Sequence, residues 1–201
     1  FDIDNGGPTQ QLPYIVKALE KSGVSAIIME DKIGLKKNSL FKNQKTTKQD
    51  SIKNFCKKIK TAKSSVINED FLVISRIESL ILGKTVGEAL KRAIAYSKAG
   101  TDCIMIHLND NNPKKIFQFA KKFSKTKYSL PLIAVPSTIP QVKTKDFIKN
   151  GFKIVIYANH LIRSSFLTMQ NISKKILTNG RTLEIEKEIS PLSNVLNLIK
   201  K

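Results

Sequence analysis

The chain has 201 residues, 41% of them hydrophobic, and it carries a formal net charge of +19 from 35 lysines and arginines against 16 aspartates and glutamates. This length fits one domain or at most two, with enough apolar residues to form a core. No run of 18 apolar residues occurs, so no membrane-spanning helix is predicted, and the acidic, glycine-rich first residues do not resemble a signal peptide.

The positive charge comes mostly from lysines, and two interpretations of it are open. A basic chain can bind nucleic acid, but lysines spread over a solvated helix surface, as at Lys57–Lys63, produce the same pattern. No motif of interleaved aromatic and basic residues accompanies them, which favours the solvated surface over a nucleic-acid-binding module. Two isolated cysteines, Cys56 and Cys103, favour a reducing compartment, and we expect the cytoplasm.

Five short apolar runs follow one another along the chain and are nearly continuous in Val, Ile, Leu, Met and Ala. Strands buried on both faces have this composition, which predicts a parallel sheet covered by helices. A further strand end is predicted at Phe1–Asp4. The five runs are Val24–Glu30, Phe71–Arg76, Cys103–His107, Leu130–Val135 and Lys153–Tyr157.

Amphipathic stretches between the runs predict helices, and glycines mark where three of them end. Gly23, Gly100 and Gly151 each follow a helical stretch and precede a strand. Glycine at this position can adopt the left-handed conformation that stops a helix. Repeats of helix, glycine and strand are typical of βα units. We expect part of a (β/α)8 barrel at residues 1–180 and a helical tail at 181–201; a doubly wound open sheet is the alternative.

Polar residues cluster where the predicted strands end. In a barrel the C-terminal strand ends lie on one face, where active sites are built, so we expect a shared site. Asp2, Asp4 and Glu30 are carboxylates, and without Cys or paired His they suit Mg²⁺, with Mn²⁺ as a substitute. The arginine and the first histidine suit a phosphoryl or carboxylate group. The residues are Asp2, Asp4, Glu30, Asp31, Lys32, Arg76, Glu78, His107, Asn159 and His160.

Taken one at a time, these residues have simpler interpretations. Asp4 begins an Asp-Asn-Gly-Gly stretch that fits an ordinary turn, and His107 fits a hydrogen-bonded core histidine. Five strands that end in this way favour a common site over coincidence.

A long segment, Asp31–Thr47, contains Gly34 and little helical periodicity. Loops of this length in compact domains are often active-site lids, although a basic surface loop has the same composition. Lys36, Asn38 and Ser39 lie within it, so they are candidate lid residues.

Several blocks of sequence match a known signature when they are taken together. The most specific are Glu30-Asp31-Lys32 with Lys36-Lys37-Asn38-Ser39, and Tyr157-Ala158-Asn159-His160-x-x-Arg163-x-Ser165. The others are Asp2-x-Asp4-x-Gly6, Ser75-Arg76-Ile77-Glu78-Ser79, Glu88-Ala89-Leu90-x-Arg92-Ala93, Ile106-His107 and Ala134-Val135-Pro136. In this combination the chain resembles the phosphoenolpyruvate mutase family of the isocitrate lyase superfamily.

The resemblance implies a magnesium-dependent barrel enzyme that interconverts phosphoenolpyruvate and 3-phosphonopyruvate, the first step of phosphonate biosynthesis. It implies that Asp2 binds Mg²⁺ directly and that Asp4 and Glu30 hold the water molecules of the ion. It also implies a gating loop in which Asn38 reaches the phosphoryl group. The implied catalytic residues are Lys36, Asn38, Ser39, Arg76 and His107, of which Asn38, Arg76 and His107 bind the substrate.

The resemblance also carries expectations about assembly. In this family the last helix is exchanged between the subunits of a dimer, and dimers pair into tetramers, so we expect a homodimer or homotetramer. Family members hold two βα units before the strand that matches Phe1–Asp4. We therefore expect this chain to be a barrel truncated at its N-terminus.

One departure and two relatives limit the assignment of activity. Leu108 stands where the family usually has Ser after the histidine, which puts one polar contact in doubt. Lyases of the superfamily place a catalytic Cys after a Lys-Lys pair, whereas Asn38 follows the pair here, so C–C cleavage is not expected. Phosphonopyruvate hydrolase shares almost every motif and is the closest alternative.

Overall fold

The computed structural model describes residues 1–34, 39 and 48–198. The chain divides into two compact units, Phe1–Tyr157 and Ala158–Lys201. The division between these units precedes the long helix of the second unit, and the predicted limit of the barrel at residue 180 stays a prediction. That helix contacts the short turn at Leu183–Ile185, and this contact groups it with the C-terminal residues.

Seven strands occur in the described residues, and all of them lie in the first unit. Five form one parallel sheet in the order β1-β4-β5-β6-β7, and the other two, β2 and β3, pair antiparallel. The strands are β1 (Ala26–Glu30), β2 (Lys32–Ile33), β3 (Lys48–Gln49), β4 (Leu72–Ile77), β5 (Cys103–Ile106), β6 (Leu132–Ala134) and β7 (Phe152–Val155).

The strand order decides between the two predicted sheet types. Each strand of the parallel sheet pairs with the next one along the chain, and a parallel bridge between Asp2 and Ile28 places the first residues beside β1. A doubly wound sheet reverses its order at a switch point, whereas a barrel wall keeps the order of the chain. The five predicted strands and the strand end at Phe1–Asp4 are confirmed.

Helices connect the strands of the first unit and make up the second. In the first unit Ser51 and Thr85 cap α2 and α3 by accepting hydrogen bonds from backbone N–H groups of the first turn. The helices are α1 (Leu12–Lys21), α2 (Ile52–Ser65), α3 (Val86–Ala99), α4 (Lys114–Phe123), α5 (Thr144–Lys149), α6 (His160–Asn179) and α7 (Leu192–Asn197).

The glycines predicted to end three helices have the expected backbone conformation. The φ angles of Gly23, Gly100 and Gly151 are 82°, 100° and 88°. Each therefore takes the left-handed conformation that residues with a side chain rarely adopt. A strand follows within three residues in each case, which sets the entry of β1, β5 and β7 into the sheet.

Two apolar clusters cover the two faces of the sheet. The larger one joins the face formed by residues such as Val73 and Ile104 to the helices outside, with Phe55, Tyr96 and Phe119 fully buried. The smaller one consists of Ile74, Cys103, Met105 and Ile133 on the opposite face. The near-continuous apolar composition of the strands follows from this double burial.

Among the described residues, no helix combines the length and the apolar character needed to cross a lipid bilayer.

Candidate active site

The alternation of side chains along the strands brings the predicted site residues onto one face. Cys103 and Met105 belong to the smaller apolar cluster, and two residues later His107 continues on that face because the side-chain period of a strand is two. Arg76 follows Ile74 in the same way. Glu30 pairs with Arg76 in the ladder between β1 and β4. The site therefore begins where the smaller apolar cluster ends.

The guanidinium group of Arg76 lies at the centre of the site and contacts three carboxylates. Its Nε donates to Glu78 Oε1 at 2.6 Å, and its Nη2 lies 3.4 Å from Glu30 Oε2. Its Nη1 lies 3.7 Å from Asp2 Oδ2. The side chain is 12% exposed, so these charges interact with little screening by water.

Glu78 is the carboxylate that fixes the cations of the site. It is completely buried, and Oε2 lies 3.0 Å from Lys32 Nζ and accepts a hydrogen bond from Ser39 at 2.7 Å. Burial acts to raise the pKa of Glu78, but the charges of Arg76 and Lys32 outweigh it and hold the pKa well below its ordinary value. Glu78 is therefore ionised and carries a permanent charge.

Glu78 and Lys32 were not among the predicted catalytic residues. The sequence contains a signal for Glu78, since it follows Arg76 by two residues and the strand period places both on one face. Lys32 is buried and bridges Glu30 Oε1, at 3.5 Å, and Glu78. A buried lysine requires an ionic partner, and Glu78 lies 46 residues away along the chain, so sequence spacing does not indicate the pair.

His107 presents a hydrogen-bond donor that has no acceptor among the described residues. Its Nδ1 lies 2.9 Å from Nη2 of Arg76, and because an arginine only donates, Nδ1 accepts. This pattern assigns the proton of the neutral ring to Nε2, which is buried and has no hydrogen-bond partner among the described residues. Burial lowers the pKa of His107. The charge of Arg76 also lowers this pKa, and the Glu78 carboxylate, which acts to raise it, does not outweigh the two. The ring is therefore neutral near pH 7.

Ser39 is the one predicted lid residue that the structure places. Its side chain is buried, and its hydroxyl group accepts from Lys32 Nζ and Arg76 Nη2, each at 2.7 Å, while it donates to Glu78. The other two, Lys36 and Asn38, lie outside the described residues. The structure thus brings Ser39, Arg76 and His107 together, and the roles of Lys36 and Asn38 stay predictions.

Asp4 lies in a constrained loop that holds it beside the predicted metal ligands. Its φ of 54° is the only positive value for a non-glycine residue among those described. Its N–H donates to Asp2 Oδ1 at 2.9 Å, and its carbonyl oxygen accepts from the Glu30 N–H at 2.7 Å. Gly6 completes the loop with a φ of 74°, where a Cβ would lie 3.0 Å from two core side chains. The loop conformation therefore depends on glycine at this position.

Asn5 links this loop to the segment that contains Ser39. Its Nδ2 donates to the carbonyl oxygen of Gly34 at 3.2 Å, and its Oδ1 accepts from the N–H of Gly7 at 2.9 Å. The buried Lys58 donates to its carbonyl oxygen at 2.7 Å. The position of the loop between Asp2 and Gly7 is thus tied to both α2 and the end of β2.

The predicted metal ligands form an open set of carboxylates. No three His, Cys, Asp or Glu side chains of the described chain are grouped so that they could enclose an ion. Asp2 is 39% exposed, and the buried Oε2 of Glu30 has no hydrogen-bond partner among the described residues. Burial raises the pKa of Glu30. Such oxygens fit Mg²⁺, which keeps several waters and takes one or two protein carboxylates directly.

Comparison with known proteins identifies relatives of the chain. It is 35% identical to a phosphoenolpyruvate phosphomutase from Tetrahymena pyriformis over 98% of its residues, and 34% identical to a phosphonopyruvate hydrolase from Variovorax sp. (strain Pal2) over the same share. It spans 65% and 67% of the length of these two relatives, respectively.

Solved structures agree with these relatives. The phosphoenolpyruvate phosphomutase from Streptomyces platensis subsp. rosaceus superposes with a TM-score of 0.92 at 34% identity, over 98% of this chain and 67% of that one. A phosphonopyruvate hydrolase in complex with oxalate and Mg²⁺ gives 0.87 at 33% identity, over 98% and 66%. A 2,3-dimethylmalate lyase of the phosphoenolpyruvate mutase/isocitrate lyase superfamily shares the fold, with a TM-score of 0.81 at 20% identity.

The family model described as phosphoenolpyruvate phosphomutase matches residues 1–177. This range includes every residue placed in the site above. The chain belongs to the phosphoenolpyruvate phosphomutase family.

Proposed function

We propose that the protein interconverts phosphoenolpyruvate and 3-phosphonopyruvate by a magnesium-dependent intramolecular phosphoryl transfer. The observation that carries this proposal is the pair formed by Arg76 and His107, a fixed cation next to a buried N–H donor for which the described part of the chain offers no acceptor. Both groups suit the oxygens of a phosphoryl group, and the carboxylates of Asp2 and Glu30 lie beside them.

Arg76 and His107 contribute positioning and electrostatic stabilisation. In a loose phosphoryl transfer the negative charge stays on the three equatorial oxygens, so the protein needs fixed positive groups rather than new covalent bonds. Glu78 holds the guanidinium group by its Nε, which orients Nη2 towards the His107 ring. A group that is oriented before the reaction does not have to reorganise during it.

The protonation state of His107 favours transfer to carbon over transfer to water. Its Nε2 already carries the proton, and its Nδ1 accepts from Arg76. In this state the ring can donate to a phosphoryl oxygen, but it cannot remove a proton from a water molecule. Lys36, Asn38 and Ser39 are proposed to close over the group and exclude water, and Asn38 can hold a phosphoryl oxygen without acting as a base.

The charge balance of the site supports a divalent cation. Three carboxylates, Asp2, Glu30 and Glu78, surround two cations, Lys32 and Arg76. We propose that Asp2 binds Mg²⁺ directly and that Asp4 and Glu30 hold its waters. When bound, the ion would neutralise charge on the enolate and carboxylate oxygens of the substrate.

Phosphonopyruvate hydrolysis is the second candidate function. A phosphonopyruvate hydrolase is as similar in sequence, at 34% identity, as the mutases are. Leu108, which stands where the family usually has Ser, packs in the larger apolar cluster on the opposite face of the sheet, so it does not separate the two reactions. The two reactions share the phosphoryl-holding groups and differ in whether water reaches the phosphorus atom.

We also propose that the protein works in the cytoplasm as a homodimer or homotetramer, with its last helix exchanged between subunits. The two cysteines are free. No described residue of α6 is buried within its own unit, and Leu161, Phe166 and Met169 are all more than half exposed. Exposed apolar surface of this kind is typical of interfaces, and the proposed occupant is a second copy of the chain.

The assembly can be measured by sedimentation of the full-length protein. We expect the mass of two or four chains at micromolar concentration. Combining Phe166→Glu with Met169→Glu should shift the mass towards one chain because two charges would enter the interface, whereas Gln170→Glu on the same helix is the control. A monomeric wild-type protein would contradict the proposal.

The metal requirement can be tested by calorimetry and by turnover. Mg²⁺ should bind with measurable heat, a chelator should abolish turnover, and Mg²⁺ or Mn²⁺ should restore it. Asp2→Asn should remove the heat of binding and reduce turnover on the order of 10²-fold or more, because metal stabilisation supplies several kcal/mol. Asp70→Asn, at an exposed carboxylate, is the control. Full turnover in chelator, or normal Mg²⁺ binding by Asp2→Asn, would refute the metal site.

Phosphorus NMR separates the mutase from the hydrolase. With phosphonopyruvate as the substrate, we expect the phosphoenolpyruvate signal to grow with little inorganic phosphate. His107→Gln should slow the conversion by about 10²-fold, the scale of a lost transition-state hydrogen bond, and the exposed Tyr14→Phe should not change it. If inorganic phosphate and pyruvate dominate instead, the protein is the hydrolase.

A further inference from the structure

A second polar cluster lies directly behind the site, around Asp31. This residue stands between Glu30, which contacts Arg76, and Lys32, which contacts Glu78. Its own side chain is completely buried. Neither the phosphoryl-holding groups nor the proposed metal ligands include it. A buried carboxylate is costly unless donors surround it, so its contacts need an explanation.

Four donors converge on the Asp31 carboxylate. The backbone N–H of Glu78 donates to Oδ1 at 2.9 Å. Oδ2 accepts from Tyr96 Oη at 2.7 Å, from Gln49 Nε2 at 2.8 Å and from Arg92 Nη1 at 3.2 Å. Each of these four groups donates to the carboxylate, so hydrogen bonds from the protein replace those that burial removes. Burial raises the pKa of Asp31, and these donors oppose that effect.

The donors come from three parts of the fold that are far apart in sequence. Tyr96 and Arg92 lie on α3, Gln49 lies on β3, and Glu78 follows β4. Arg92 also donates to the carbonyl oxygen of Asp50 at 2.8 Å. One carboxylate therefore fixes the backbone at Glu78 and the end of the β2–β3 pair at the same time.

The connection to the reacting groups passes through Glu78. The Asp31 carboxylate accepts from the backbone N–H of Glu78. The Glu78 side chain in turn accepts from Arg76 Nε, which orients Nη2 of Arg76 towards His107. A shift of Glu78 by a fraction of an ångström would rotate the guanidinium group. Misplacement of about 1 Å can cost on the order of 10²-fold in rate.

We propose that Asp31, supported by Tyr96 and Arg92, is a positioning residue that sets the orientation of Arg76 through the backbone of Glu78 and holds β3 against α3. It touches no substrate. The turnover part of this inference depends on the proposed function, whereas the structural part does not.

The test compares two local variants with two controls in the full-length protein. Tyr96→Phe removes one donor to Asp31 and keeps the ring that packs on Phe55, 4.8 Å away between centroids. Asp31→Asn removes the charge and replaces one accepting oxygen with an NH2 group, a donor that faces other donors. Tyr14→Phe controls for an exposed tyrosine. Phe119→Leu, at a buried position of α4, lowers the melting temperature without changing a residue of the cluster.

Turnover and hydrogen exchange should change together in the local variants. We expect kcat to fall about 10-fold in Tyr96→Phe and about 10²-fold in Asp31→Asn, the range of losses seen when supporting residues are removed, with a smaller change in KM. The backbone N–H of Glu78 donates to the Asp31 carboxylate, and that of Asp50 donates to the Asp31 backbone carbonyl oxygen. Both amides should exchange faster in both variants. In Phe119→Leu the folded protein should keep its kcat and the protection of these two amides.

Three outcomes would overturn the inference. One is unchanged exchange at Glu78 and Asp50 in Tyr96→Phe. Another is a loss of turnover in the local variants that is fully explained by the fraction of unfolded protein, so that the folded molecules keep the wild-type kcat. The third is an equal loss in Phe119→Leu. If Asp31→Asn does not fold, Tyr96→Phe decides the question. If wild-type protein converts neither phosphoenolpyruvate nor phosphonopyruvate, the proposed function fails, and exchange at the two amides still decides the structural part.

Discussion

The buried charge of Glu78 is the constraint on which the rest of the site depends. Removing a carboxylate from water costs several kcal/mol unless cations and donors replace the lost hydration. Here Lys32, Arg76 and Ser39 supply the replacement. The same contacts leave Arg76 with one orientation, so the requirement to neutralise Glu78 also prepares the guanidinium group for a phosphoryl group.

The positions of these groups follow from the geometry of parallel strands. Side chains of alternate residues share a face, and neighbouring parallel strands end at the same edge of the sheet. An apolar cluster around Ile74 and Met105 fills that face, and Arg76 and His107 follow these residues by two positions along their strands. The apolar cluster keeps water away from one side of Arg76 and His107, which strengthens their interactions with an anion. The site is thus a continuation of the core in which polar groups are paired with one another.

Much of the fold could be predicted because its signals are local. The apolar runs, the amphipathic helices and the left-handed glycines such as Gly100 each depend on a few adjacent residues. Asp2, Glu30, Arg76 and His107 could be assigned to one site because strand ends of a parallel sheet meet. The two-residue strands β2 and β3 could not be predicted, since such short pieces show no periodicity.

The contacts that organise the site were harder to predict because they are not local. Lys32 meets Glu78, and Asp31 meets Tyr96 65 residues away, and neither pair has a spacing rule. The contact of α6 with the turn at Leu183–Ile185 likewise has no local signal in the sequence. Sequence patterns indicated which strand ends carry chemistry, and the tertiary structure decides which charges pair.

The most direct test of the central role of Glu78 is the pH dependence of the free energy of unfolding, measured for wild-type protein and for Glu78→Gln. Near pH 7 the variant should be less stable by about 3 kcal/mol or more, because it leaves buried cations without their partner. The pKa of Glu78 is depressed in the folded state relative to the ordinary value of 4.5. Its stabilisation is therefore complete above pH 4.5 and is lost as the pH falls towards the folded pKa. The difference between the two proteins should narrow below pH 4.5, by up to about 1.4 kcal/mol per pH unit. A difference that stays constant from pH 7 to pH 3, or a variant as stable as the wild type at pH 7, would contradict the account.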